Sequence, residues 1–302
     1  MILTVTLNLA LDVTYALPSV DWDGVNRVTA VHRRAGGKGV NVARVLAALG
    51  HEVLVTGLAG GPTGQAVEGD LRAAGLPGAL TPIAADSRTT LAVTDGGAGR
   101  TALFNEPGPE VAPGELASFV RHYEKLVAAA DAVVLSGSLP RGVPLDTYAA
   151  LASIAADQGV PAIVDADGEP LRHAPAGRPS VVKPNAEELA RAVPGGAPAE
   201  GARALRERGA GAVVVSMGAE GLLAVTGEGT FRARMPYTVE GNPTGAGDAL
   251  VAGLALGLVE RAPWHDRLRR AAALGAAAVA APVAGDVDPD VYADIHPGII
   301  IT

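Results

Sequence analysis

The chain has 302 residues, of which 48% are hydrophobic and 19% charged, with 24 basic against 32 acidic side chains and a formal charge of −8. That apolar content can fill a substantial core and argues against disorder, while the acidic balance argues against a nucleic acid or an anionic membrane held by bulk charge. Cysteine is absent, which removes disulfide scaffolds, thiolate nucleophiles and cysteine metal sites.

The opening run, Met1–Tyr15, has no basic segment and meets an acid at Asp12, so it reads as a first strand over Ile2–Leu7 and not as a secretory signal. Residues Asp12–Arg34 then mix polar and apolar side chains at strand-like spacing. Asn41–Gly50 is a helix with Val42, Val45, Leu46 and Leu49 on one face and a glycine at its end. A strand over Val53–Leu58 follows. Arg88–Asn105 reads as strand, Asp-Gly-Gly turn, strand. Further on, helical patterns over Glu115–Ala130, Leu145–Gln158 and Ala202–Arg208 alternate with short β-branched runs at Ala132–Ser136, Ala162–Asp165, Ser180–Lys183 and Ala212–Ser216. Pro194–Glu200 is expected to be a mobile surface loop. An apolar helix is expected over Ala249–Val259. The longest apolar run, Ala271–Val283, carries glycine and proline and suits a buried helix better than a membrane span.

This alternation predicts an α/β fold, with a mostly parallel central sheet flanked by helices and ligands beyond the carboxyl ends of its strands. The two exceptions, roughly residues 12–34 and 88–105, are expected to form a small antiparallel β lid on a single domain spanning 1–302. A four-stranded flap buries little by itself, so the lid needs the body or a second copy, and a homodimer is expected. The expected location is the cytoplasm, with neither nucleic acid nor membrane as partner.

Four motifs carry candidate chemistry. Gly36-Gly37-Lys38-Gly39-Val40-Asn41 stands directly before a helix, where glycines let amides approach an anion; otherwise it is a plain flexible loop. It is not a phosphate-binding loop of the Walker type, because Gly39 and not Ser or Thr follows the lysine. Asn242-Pro243-Thr244-Gly245-Ala246-Gly247-Asp248 offers successive amides at a helix start, suited to the charge on a phosphoryl group in flight. Asp248 is there either a first-turn acid or a general base. Lys183-Pro184-Asn185-Ala186-Glu187-Glu188 is either a capping box or a pair able to orient water on magnesium. Ser216-Met217-Gly218-Ala219-Glu220-Gly221 is a tight turn before a strand at Leu222–Val225. The chain has only three lysines, Lys38, Lys125 and Lys183, and two of them fall in these motifs.

Together and in order, the motifs resemble the ribokinase-like (PfkB) family of carbohydrate kinases along nearly the whole chain. The run at 36–50 is similar to the family's first signature and the run at 242–253 to its second. Asn8–Asp12, Ser136-Gly137-Ser138-Leu139-Pro140 and Asp165-Ala166-Asp167-Gly168 also fit. The branch it most resembles holds the 1-phosphofructokinases and tagatose-6-phosphate kinases. Lys38 suits a phosphorylated sugar, as do Arg27 and Arg88 in the expected lid, since an arginine fork matches a phosphate.

The resemblance implies a ribokinase-like fold and phosphoryl transfer from ATP, with magnesium, to a hexose phosphate. Fructose 1-phosphate is the first expectation; tagatose 6-phosphate and fructose 6-phosphate are alternatives within the family. A non-catalytic nucleotide- or sugar-binding regulator is the alternative from another class. By resemblance Asp248 is the base and Gly245, Ala246 and Gly247 form the anion hole. Asp12, Arg27, Gly37, Lys38, Asn41, Arg88 and Ser138 would contact the sugar phosphate. Lys183, Asn185, Ser216, Gly218 and Gly221 would contact the nucleotide, and Glu188 would hold magnesium through water. Asn242 stands where many family members carry an acid linked to monovalent cations, so no potassium site is predicted. Adenine is expected against Leu254–Val287.

Overall fold

Short runs of valine, leucine and isoleucine become strands buried on both faces, and the amphipathic segments between them become the covering helices. A computed structural model describes residues 1–98 and 100–302; residue 99, inside the second expected lid segment, lies outside the described residues. The strands are β1 (Ile2–Thr6), β2 (Ala10–Leu17), β3 (Ala30–Gly36), β4 (Val53–Gly60), β5 (Gly78–Ile83), β6 (Arg88–Asp95), β7 (Arg100–Asn105), β8 (Ala132–Ser136), β9 (Ala162–Asp165), β10 (Val181–Val182), β11 (Ala212–Ser216), β12 (Leu222–Val225), β13 (Thr230–Arg234) and β14 (Ile300–Ile301). The helices are α1 (Lys38–Ala48), α2 (Gly61–Ala73), α3 (Pro113–Val127), α4 (Thr147–Asp157), α5 (Gly168–His173), α6 (Ala186–Ala192), α7 (Pro198–Glu207), α8 (Ala246–Val259), α9 (Trp264–Ala280) and α10 (Pro289–Ile295).

A 10-stranded sheet runs in the order β14-β13-β12-β11-β10-β9-β8-β1-β4-β5. From β11 to β5 every neighbour pair is parallel; β12, β13 and β14 add an antiparallel margin. Strand alternation divides the interior into two cores. Along β11, Ala212 and Val214 face the core shared with α1, α8 and α9, while Val213 and Val215 face the core under α3, α4 and α7. The sheet is therefore the middle of three layers.

The expected lid is a second sheet of four strands in the order β3-β2-β6-β7. Each predicted segment supplies one antiparallel pair, β2/β3 and β6/β7, and the two pairs join through a parallel β2/β6 seam. The Pro194–Glu200 expectation is corrected at its end. Pro198–Glu200 is the first turn of α7, where the Glu200 carboxylate accepts from the Ala197 amide, so only residues 193–197 connect α6 to α7. The apolar run beginning at Ala271 is buried in α9, and no helix of the described residues is long and apolar enough to cross a membrane.

Candidate active site

The carboxyl ends of β1, β8, β9 and β10 and the amino ends of α1 and α8 meet at one cleft. Gly245 caps α8 at φ 87, a left-handed conformation that glycine adopts without strain. Its close neighbour is Ala284, 2.9 Å from where a Cβ would stand. The Ala246 amide donates to the Pro243 carbonyl at 3.2 Å, so among the described residues the open amides of this turn are those of Gly245 and Gly247. Of the three residues expected to form the anion hole, Ala246 therefore has its amide engaged within the turn.

Asp248 lies in the first turn of α8 and is buried. The Asn41 side-chain amide, from α1, donates to its Oδ2 at 2.8 Å. Burial pushes the Asp248 carboxyl up to about 7; the charge of Asp165 adds to the rise, while Asn41, Lys38 and Lys183 oppose it. A carboxylate titrating there can accept a proton near neutral pH.

Lys38 opens α1 after Gly37, which holds φ 111 at the helix cap. Gly37 and Gly39 both lie on Thr6, whose methyl carbon and hydroxyl would stand 2.7 and 2.4 Å from added Cβ atoms. Close packing therefore dictates the glycines flanking Lys38. The Lys38 and Lys183 ammonium groups both reach Asp165 Oδ1, at 3.2 and 3.4 Å. Burial disfavours the Lys38 charge, but Asp165, Glu188 and Asp248 outweigh it and hold the ammonium above its ordinary range. Lys183 is buried and crosses the α8 turn, its Nζ 3.6 Å from a Cβ built on Gly247.

Asp12 on β2 packs directly on Gly36, where a Cβ would lie 2.0 Å from its carboxylate. Burial raises the Asp12 carboxyl against the pull of Arg88. Arg88, the first residue of β6, donates through Nε to the Asn8 carbonyl at 3.2 Å, and the Asn8 side chain donates to Ser138 Oγ at 3.0 Å. Asp12, Arg88, Asn8 and Ser138 thus rim the Lys38 end of the cleft, where Gly137 abuts the Lys38 side chain.

Arg27 is not brought there by its own chain. It sits in the exposed connection between β2 and β3, beyond the Ala16–Ala30 pair, whereas the cleft end of that hairpin is the Ala10–Gly36 pair. Six residues of strand separate the two ends, about 20 Å.

On the other side, Asn185 and Glu188 form a full capping box. Asn185 Oδ1 accepts from the Glu188 amide and Glu188 Oε2 from the Asn185 amide, each at 2.8 Å. Asn185, Ser216, Gly218, Gly221 and Gly247 line one cavity of about 640 Å³. Its far wall comes from α9, through Ala272, Gly275, Ala276 and Val279, within the stretch expected for adenine. The wall from Met235 to Gly241, after β13, was not anticipated from sequence. Its mixed polar and apolar residues have no period that marks a binding wall; only the Pro236–Pro243 pairing of prolines signals a chain that is neither helix nor strand. Asp165, which joins both lysines, was visible only as a residue in a matching segment.

A family model described as pfkB family carbohydrate kinase matches residues 6–290. The chain belongs to this family. Phosphofructokinase-2 from Escherichia coli, solved in complex with potassium, is 32% identical over 98% of each chain with a TM-score of 0.90. The same enzyme in complex with fructose-6-phosphate gives 32% identity and a TM-score of 0.86 over 97% of this chain and 98% of that one. A possible 1-phosphofructokinase from Thermotoga maritima is 25% identical, with a TM-score of 0.88 over 100% of this chain and 98% of its own. As a PfkB carbohydrate kinase the protein is a phosphotransferase.

Proposed function

We propose that this PfkB kinase transfers the terminal phosphoryl group of ATP to a hydroxyl of a hexose phosphate, with fructose 1-phosphate as acceptor. The observation that carries the reading is Asp248: a buried carboxylate raised to about 7, aligned by Asn41, on the turn that closes a 640 Å³ cavity. It takes the acceptor hydroxyl proton as the oxygen attacks phosphorus. The Gly245 and Gly247 amides meet charge on the transferring group, and Lys183 meets charge on the nucleotide. Arg88 and Lys38 provide cations for the sugar phosphate in a chain whose overall charge is −8.

Among the described residues no three acidic or histidine side chains converge to cage a metal, which suits an ion held mainly by phosphates and water. Glu188, nearly buried and fixed by its capping box, is the residue that would hold magnesium through a water. When bound, the ion neutralises charge on the phosphates.

A homodimer through the small sheet is part of the reading. Trp22 and Val25 in the β2–β3 connection are 77% and 83% exposed, and Leu103 and Phe104 on β7 are also exposed. Pairing of two such sheets would cover them, and Arg27 then contributes to a cleft only as presented by the second copy. Likeness to phosphofructokinase-2 at 32% against 25% for the possible 1-phosphofructokinase supports fructose 6-phosphate as the second reading. ATP consumption over fructose 1-phosphate, fructose 6-phosphate, tagatose 6-phosphate and unphosphorylated sugars tests the assignment. Turnover restricted to fructose 1-phosphate supports it; restriction to fructose 6-phosphate replaces it with the second reading, and equal turnover of a neutral sugar, or none with any acceptor, overturns it.

A further inference from the structure

Two of the chain's three lysines end on a single carboxylate oxygen. Asp165, the last residue of β9, is 1% exposed; its Oδ1 lies 3.2 Å from Lys38 Nζ and 3.4 Å from Lys183 Nζ. Its Oδ2 is buried with no hydrogen-bond partner among the described residues. A lone buried carboxylate is unfavourable, and so are two ammonium groups within about 7 Å of each other; each offsets the other here. The backbone fixes the arrangement from three sides. Asp165 pairs with Ser136 across β8/β9, its carbonyl accepts from the Gly137 amide, and the Lys183 amide is tied to the Val164 carbonyl. The lysines arrive from the start of α1 and the end of β10, so they belong to different layers and only the carboxylate joins them.

We propose that Asp165 is the positioning residue of phosphoryl transfer: one buried oxygen pins Lys38 on the acceptor side and Lys183 on the donor side, so that both cations flank Asp248 as a unit. The inference rests on the kinase reading for its consequence, but the clamp is a property of the resting protein. Asp248 is faced by Asn41 and Lys38 from α1, by Lys183 after β10 and by Asp165 from β9. Of these only Asp165 is negative, so it also keeps the base from becoming too weak beside two lysines. Neutralising it removes a negative neighbour and frees two positive ones, and both changes lower the pH at which Asp248 loses its proton.

Lysine ammonium groups paired to a buried carboxylate retain their protons long enough for detection in 1H–15N spectra, and with only three lysines assignment is direct. The parent protein should show ammonium signals for Lys38 and Lys183, and Asp165→Asn should lose both. In the same variant, KM for ATP and for the sugar phosphate should rise together, by about tenfold or more. The acid limb of kcat/KM should move down by about one pH unit. Absence of both ammonium signals in the parent overturns the clamp even if the variant fails to fold. So does an unmoved acid limb with unchanged KM values in a folded variant. If the parent shows the signals but turns over no sugar phosphate, the proposed acceptor falls and the clamp stands.

Discussion

The two sheets of this protein are built to opposite specifications. In the large sheet β1, β8 and β9 are buried at every position, and helices cover both faces. In the small sheet β6 is half-buried throughout and β7 is exposed at all but one position. The first needs nothing further to be stable. The second leaves valine, leucine and phenylalanine in solvent, the kind of surface that suits a partner. The groups proposed to act follow the same division: Asp248, Lys183 and the positioning residue Asp165 stand on the buried body, whereas Asp12 and Arg88 stand where the small sheet joins it. Under the proposed function, chemistry falls to the buried body and acceptor recognition to the joint with the exposed sheet.

The largest expected effect breaks chemistry while sparing the fold. Asp248→Asn should lower kcat by a factor of a hundred to ten thousand, measured by coupled ATP consumption. The same variant should melt a few degrees higher than the parent at pH 8. Asp248 has a folded pKa of about 7, above its unfolded value of 3.8, so the folded state binds the extra proton between those limits. Parent stability therefore rises as pH falls from 7 toward 4, by an amount on the order of a few kcal/mol, and the variant's advantage fades over that window. Thermal melts at pH 5 and pH 8 check the sign; an advantage that grew with acid would contradict the burial argument.

Next comes Arg88→Ala, at the joint between the two sheets. It should raise KM for the phosphorylated sugar ten- to a hundredfold with little change in KM for ATP. Equal loss on both substrates would erase the division between acceptor and donor sides. The parent's kcat/KM should fall tenfold per unit below pH of about 7, as Asp248 protonates. The smallest effect on the monomer is expected from Phe104→Ser on β7, within about half a kcal/mol of stability. It should nevertheless shift sedimentation toward the monomer, and an unchanged assembly would assign the exposed sheet some other use.

Periodicity made the body legible. β8, β9 and β11 have the boundaries that their β-branched runs suggest, and α8 differs from expectation only by its glycine turn. The lid was legible as one segment of strand-like spacing and one strand–turn–strand segment, but its parallel seam was not, because alternation along a strand says nothing about which neighbour it joins. Local signals placed Asp248, Lys38 and Lys183, each beside glycine or proline at an element boundary. They could not place Asp165, an ordinary strand-ending acid until the fold brings two lysines to it. Nor could they place Arg27, whose distance from the cleft follows from the β2/β3 register. The capping box at Asn185 shows the opposite lesson: the bland reading of that motif describes its geometry fully, and any work on magnesium is added to it.

The hydrogen bond from Asn41 to Asp248 joins residues 207 apart in the chain. A polypeptide emerging from the ribosome therefore carries its lysine-bearing glycine turn long before it carries Asp248, and some 207 further residues must be added before the two can meet. Under the proposed mechanism, a fragment that stops short of α8 lacks the base and so has no means of taking the acceptor proton.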